Sequence, residues 1–409
     1  MRRIAWIFLL LLAFAIPWEY SLDLGEPLGN VARIAGLLVL LAAVPAILQG
    51  GRMRTFNAFC WVTFALYLWF CCTSFWTIDS LVTVEKLRAY FQEMMIVWLV
   101  WEFADTPADL RNLLRATVAG SCVLAVLTLL ALRSPEALVT GQIRFVASGQ
   151  DPNDVARFLD LGFPLAALLA TCEHRWPLRI MAVGFLPLGA AAVLLTASRS
   201  GFLAALVALA GSLLILAIGH ARRVAAVIFA LPPFFAALWF IVPGGTFDRL
   251  ATIPEQLQGG DFNQRVNIWS AGWRAFAQSP LFGTGAGSFV AAAHLAQGDT
   301  AHNTVLSILV AGGLCALLLA SLLLALAIRA TLQTSGPLRL ALLTSLLVWA
   351  ITSLIATVEE NRTTWLLFGL ILLAARLAAE DPCGLAVCFR SAPRTFTVSA
   401  PPFAVQPSS

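Results

Sequence analysis

Arg199, Arg265 and His302 are the side chains with the most chemistry to offer in an otherwise apolar chain. Arg199 lies in VLLTASRSGFLAAL (193–206), between two long apolar runs. A guanidinium beside lipid is costly, so it serves an ion pair, snorkels to the interface, or meets an anion. Ser198, Ser200 and Gly201 favour the anion. They add hydroxyls and exposed N–H groups at a helix start, and with a guanidinium these make a phosphate cradle. Arg265 opens RVNIWSAGWRAFAQSP (265–280), in which Val266, Trp269, Trp273 and Phe276 recur at helical spacing. Such a helix suits the membrane interface and would hold Arg265 at headgroup depth, where a plain lipid-headgroup contact is the competing role. His302, in AHNTVLSILVAGGL (301–314), begins another apolar run. A helix N-terminus disfavours imidazolium, and a neutral imidazole can take a proton from a hydroxyl. The plainer alternative is a buried histidine bonded to a loop carbonyl.

Weaker candidates surround these three. In DPNDVARFL (151–159), Asp154 could be a base or a metal ligand, but capping by Asp151 or Asn153 explains the pattern as well. Arg144, Arg157 and Arg362 are further basic residues near the same face. The alternating glycines of LFGTGAGSF (281–289), Gly285 among them, allow a tight turn and a close approach of backbone to sugar or phosphate. Asp299, Thr300 or Asn303 could cap the helix that follows. Glu359 and Glu360 read as solvated acids on a turn. No His/Cys group has zinc spacing, and neither a metal nor another cofactor is expected.

The elements that must position these residues are membrane helices. Of the 409 residues 60% are hydrophobic and 12% charged, about half the charge of a soluble domain. Twelve apolar runs of spanning length fall at roughly 4–18, 31–48, 56–76, 87–104, 113–132, 155–171, 178–197, 201–218, 222–242, 303–328, 338–357 and 363–379. No small-x-small cleavage site follows the first, so it reads as a retained helix. With the N-terminus inside, the inner segments hold 15 of the 26 basic residues and 6 of the 22 acids, which satisfies the positive-inside rule. The expected fold is an all-α polytopic membrane protein of about 12 transmembrane helices, residues 1–379. Its large outer loop, 243–302, would carry short interfacial helices, and 380–409 would be a disordered inner tail. No cysteine lies in an outer loop, so no disulfide framework is indicated.

In order and kind, LLTASRSGFLAAL, RVNIWSAGWRAFAQSPLFGTGAGSF, AHNTVLSILVAGGL and DPNDVARFLDLGFPLA resemble the O-antigen ligase and O-antigen polymerase superfamily of bacterial membrane glycosyltransferases. The resemblance covers mainly 145–330. It implies a GT-C-like, metal-independent enzyme of the bacterial inner membrane, with its site facing the periplasm. The donor it implies is an undecaprenyl diphosphate-linked glycan. The acceptor is a hydroxyl of lipid A–core for a ligase, or the next carrier-linked repeat unit for an O-antigen or exopolysaccharide polymerase. In that frame Arg199 and Arg265 hold the diphosphate and His302 activates the acceptor. Ser198, Ser200, Arg144, Arg157, Asn153, Asp154, Gly285, Asn303 and Arg362 are the expected substrate-binding set. Membrane lipids are the other partners, and no nucleic acid is expected. A transporter is the rival class, but it should place its charges near the midplane and show repeats. The notable residues gather at one surface instead, and no repeat is evident.

Overall fold

A computed structural model of the chain describes every residue except 26–28, 52, 135–143, 219–220, 260–264 and 390–409. The regular elements among the described residues are helices, and each apolar run has become one. In chain order they are α1 (Arg2–Ala15), α2 (Val31–Gly50), α3 (Ala58–Thr73), α4 (Ser80–Phe103), α5 (Pro107–Leu130), α6 (Pro152–Cys172), α7 (Trp176–Leu195), α8 (Arg199–Ala217), α9 (Ala221–Ile241), α10 (Thr304–Gln333), α11 (Gly336–Ser353) and α12 (Arg362–Glu380). Nine described helices are long and apolar enough to cross a membrane. α3 is shorter, at 16 residues, and α4 carries Glu85, Lys86, Arg88, Glu93 and Glu102 among its apolar residues. The chain is an all-α polytopic membrane protein.

Two helices are enclosed by the others. α6 is buried without a break from Val155 to Cys172, packed against α5, α7, α8 and α11. α12 is buried from Thr363 to Leu377, packed against α4, α5 and α10. Apart from the buried Arg157 and Asp160 of α6 and Arg376 of α12, both bury mainly apolar residues on all sides, which suits a helix with neighbours all round. Small residues let the bundle close, as in membrane proteins generally. Gly120 of α5 lies directly against the Phe14 carbonyl at the end of α1, and Gly211 of α8 against the Thr344 side chain of α11.

Local chemistry sets the helix ends. Asn30, Asn57, Asp79 and Asp151 cap α2, α3, α4 and α6, and Thr106 with Asp109 forms a reciprocal capping box on α5. Pro17 turns the chain after α1 into a 3₁₀ segment, Ile16–Ser21. α10 breaks at Gly313, whose φ of 66° and ψ of −164° lie outside the helical region.

Among its described residues the loop 243–302 carries four short helices, Gly244–Ala251, Ile253–Leu257, Arg265–Gln278 and Phe289–Ala292. The third differs from expectation in the face it buries. Ala271, Gly272 and Ala275 are its buried residues and pack with Phe289 on Leu306 and Val310 of α10, with Ile268, Trp269 and Phe276 partly buried beside them. Trp273 and Val266 stay exposed, and Trp269 donates its indole N–H to the Ala301 carbonyl at 3.2 Å. The first residues of the expected disordered tail are ordered. Pro382–Cys388 is a helix capped by Asp381 and packed on α5, while 390–409 lie outside the described residues.

Gly120→Val should lower thermal stability by about 1–3 kcal/mol, the usual range for overpacking, because the new branches meet main chain that cannot rotate away. Thermal unfolding of the detergent-purified protein measures this. An unchanged midpoint would mean that α1 and α5 are not in close contact.

Candidate active site

A cavity of about 620 Å³ lies at one end of the bundle. Its walls come from Tyr20, Asn30 and Arg33 between α1 and α2, from Glu85 to Glu93 on α4, and from Asp151, Asn153 and Asp154 at the start of α6. Arg265, Thr300 and His302 of the long loop and the α11–α12 turn up to Arg362 complete them. All are ends that arginine counting assigns to the outer side. The N-termini of α2, α6 and α12 converge there, so three helix dipoles present their positive ends to the same space.

The charges around the cavity fall into two groups. Some are neutralised within the protein. Lys86 Nζ meets Glu360 Oε2 at 2.7 Å, Arg362 pairs with Glu19 and also donates to Gln92 at 3.2 Å, and Asp154 pairs with Arg157 at 2.8 Å. The guanidinium groups of Arg33, Arg88 and Arg265 line the same cavity, yet none has an ion pair or hydrogen bond among the described residues. Glu85 and Glu93 of α4 also line the hollow, but three guanidinium groups without an ion pair or hydrogen bond leave room for an added anion.

A second basic cluster adjoins this cavity. Burial and the charges of Arg249, Arg199 and Arg265 all weaken the hold of Arg144 on its proton. Burial and the Arg199 charge act likewise on Arg249. Arg199 does not line the cavity; its Nη1 donates to Thr252 Oγ1 at 2.9 Å. Arg249 Nε donates to the Ala197 carbonyl at 3.1 Å, and Arg144 Nε to the Thr196 carbonyl at 3.2 Å. Asn153 joins the two regions. Its Oδ1 accepts from Ser198 Oγ at 2.8 Å and from Arg144 Nη2 at 3.3 Å, and it also borders the cavity.

The remaining expected residues divide in the same way. Ser198 caps α8, accepting from the Gly201 N–H at 3.2 Å, with Ser200 Oγ 3.3 Å away. Arg157 is 2% exposed; it holds Asp154 and lies over the Phe158 ring, away from the cavity. Asn303 caps α10 and donates to the Leu354 carbonyl at 3.0 Å, and it is not among the cavity-lining residues. Gly285 also lies elsewhere. With φ at 118° it faces Thr77, and its N–H donates to the Ala311 carbonyl at 3.0 Å. The glycine turn approaches the α10 break and the α3–α4 connection rather than the cavity. Arg33, Arg88 and the Lys86–Glu360 pair escaped sequence reading. The only signal was their place toward the outer ends of apolar helices, Arg33 in the first turn of α2, Lys86 and Arg88 two to three turns into α4, and Glu360 just before α12. Glu359 is buried rather than solvated, 7% exposed; burial, and then the Glu360 charge, push its carboxyl up to about 8.

His302 is half-buried in the cavity wall, its Nδ1 3.2 Å from the Thr300 hydroxyl. Its backbone φ is 45°, and that of Ala197 before the Ser198 turn is 48°. Both are left-handed non-glycine residues, a strain that accumulates at functional sites. Burial first, and then the Arg265 charge, push the imidazole below its ordinary value, while Asp151, Asp299 and Asp154 oppose the shift. A neutral imidazole therefore stands beside an anion site at neutral pH. That pairing can deprotonate a hydroxyl while stabilising a departing phosphate.

Residues 184–321 match the family model for O-antigen ligase. The matched stretch is about a third of the chain, and it supports a relationship to the O-antigen ligase and polymerase superfamily. No curated protein matches the chain. The matched residues span most of α7, the Ser198 turn, the long loop with Arg265, and the first half of α10 with His302. Arg33, Arg88, Asn153 and Arg362 reach the cavity from outside that stretch.

His302 should titrate below 6.5, the ordinary histidine value, and Arg265→Ala should raise its midpoint by removing the second cause of the shift. Carbon-13 NMR of labelled histidine in nanodiscs reads both. A midpoint unmoved by Arg265→Ala would mean that the two residues do not share a field.

Proposed function

We propose that this chain is an O-antigen ligase that moves a glycan from undecaprenyl diphosphate to a sugar hydroxyl of lipid A–core at the periplasmic face of the bacterial inner membrane. The observation carrying this reading is the set of unpaired guanidinium groups of Arg33, Arg88 and Arg265 around one cavity with the His302 imidazole. The donor brings a diphosphate to headgroup depth, and the cavity has the charge to receive it. Arg265 holds the diphosphate from the loop side. Arg199 stands behind it, adding to the field and tying the Thr252 segment to α8.

The reaction then follows from the groups present. His302 takes the proton of the acceptor hydroxyl as the oxygen attacks the anomeric carbon. The bond from that carbon to the diphosphate oxygen breaks, and its electron pair leaves with the diphosphate. The guanidinium groups stabilise the charge that develops there, in the place a divalent cation takes in other transferases. Asp151 and Asp154 favour the imidazolium, so the proton on His302 is tolerated until it passes to water.

Transfer by the purified protein in nanodiscs, with undecaprenyl diphosphate-linked glycan and lipid A–core supplied, tests the reading. Arg265→Ala should cut the rate by about 10²–10³, the loss usual for one donor to a developing anion, and Arg199→Ala should cut it less. His302→Ala should cost about 10²–10⁴ while donor binding is kept, as for a lost general base. Full activity in excess EDTA is expected. Normal rates in Arg265→Ala would sink the assignment. Transfer to a second carrier-linked unit, with none to lipid A–core, would make the enzyme a repeat-unit polymerase.

A further inference from the structure

Along α4 the cavity wall is one helix face, on which Glu85, Ala89, Gln92 and Glu93 recur at intervals of three and four residues. Glu93 lies about 12 Å further along the helix than Glu85 and marks the inner end of that face. It is 5% exposed. Its carboxyl has neither a hydrogen bond nor an ion pair among the described residues, and Oε2 is closed off from solvent. The basic groups whose charges act on it, Arg362 and Lys86, are already held by Glu19 and Glu360. Thr357, on the α11–α12 turn, lines the same cavity, and its Oγ1 is likewise buried without a partner. Tyr20 also borders the cavity and lies within the electrostatic reach of Glu93.

A buried oxygen without a hydrogen bond is a cost that folding does not recover. The guanidinium groups of the cavity favour an anion, whereas Glu93 repels one. A ligand that meets both demands carries hydroxyl groups beside its phosphates. A carboxyl group accepts from hydroxyls whether or not it is ionised. Its two oxygens offer lone pairs enough for two hydroxyls of one ring, and the Thr357 hydroxyl can give or take another bond. The Tyr20 side chain adds an apolar body with a polar tip, which matches the two characters of a sugar. We propose that Glu93 is a specificity-determining residue that accepts hydroxyls of a sugar ring in the cavity, with Thr357 as a second contact. The proposal rests on the glycan-transfer reading and adds to it the part of the site that recognises the sugar. The ring is the first sugar of the donor or the terminal sugar of the acceptor, since both present the same hydroxyl chemistry.

Transfer kinetics in nanodiscs with two series of substrates test this. In one series undecaprenyl diphosphate carries the glycan with single hydroxyls of its first ring removed. In the other, lipid A–core lacks single hydroxyls of its terminal ring. The unaltered protein should lose at least about tenfold in kcat/KM with one of these analogues, as for a site built to bond that hydroxyl. In Glu93→Leu the intact substrate should lose by a similar factor, and that analogue should lose nothing more, the signature of a direct contact in a double-mutant cycle. The series in which the difference disappears identifies the ring as donor or acceptor. Glu93→Gln, which keeps one accepting oxygen, should fall between. Inorganic pyrophosphate binding, read by calorimetry, should be kept in both variants. If Glu93→Leu loses it, Glu93→Gln decides, and its discrimination must fall at least about threefold. Discrimination as strong in the variants as in the unaltered protein would overturn the proposal and leave Glu93 a counter-ion or a structural acid. Indifference of the unaltered protein to every analogue would overturn it too. No transfer by the unaltered protein with both intact substrates would instead overturn the glycan-transfer reading.

Discussion

Positive charge left over at the rim of an apolar bundle is the constraint from which the rest of the site follows. Arginine cannot discharge itself by losing a proton at any physiological pH, so a guanidinium held near lipid must find an anion or face water. Of the carboxylates nearby, Glu85 and Glu93 of α4 also line the cavity without an ion pair among the described residues, and the others are committed elsewhere. Glu360 holds Lys86, Glu19 holds Arg362, Asp154 holds Arg157, and Asp151 accepts from N–H groups at the start of α6. The converging helix N-termini add positive potential rather than cancel it. Arg33, Arg88 and Arg265 therefore carry charge that the resting protein does not use. Such an arrangement is costly for folding and is preorganised for an incoming anion.

The same field acts on the base. Burial and Arg265 suppress the imidazolium of His302, which keeps the imidazole free to accept a proton before reaction but makes the protonated state uphill. Two negative charges bound by the guanidinium groups would reverse that balance, since a diphosphate screens Arg265 and itself favours the imidazolium. On the proposed reading, donor binding would thus raise the basicity of His302 at the moment when an acceptor hydroxyl must be deprotonated. The positive φ of His302, between Thr300 and the Asn303 cap, holds the ring in this field at the expense of backbone strain. In this way the anion site and the base are coupled through electrostatics without touching each other.

Much of the scaffold was legible because lipid imposes simple rules. Runs of spanning length became helices, and Asp151 and Asn303 were foreseeable caps because a short polar side chain before an apolar run has little else to do. Arg265 and His302 were legible because each stood alone at the start of a helix in a polar loop. Arg33 and Arg88 were not, since a cation toward the outer end of an apolar helix looks like any interfacial anchor until the opposite walls are known. Gly285 misled for a related reason. A glycine with positive φ signals that something comes close, but only the fold reveals that the visitor is Thr77 rather than a ligand. The paired acids misled too, because burial of Glu359 depends on how α10 and α11 meet.

The division of labour between the two halves of the chain follows from where the charges originate. The matched stretch, 184–321, brings the imidazole and Arg265 on a loop, whereas Arg33 and Arg88 belong to α2 and α4, fixed by packing against α1 and α12. An anion in the cavity would therefore be met by packed helices on one side and by the loop's imidazole on the other. Fixing one side and reaching over from the other is a geometry by which a bundle of apolar helices can position a polar bond at its surface.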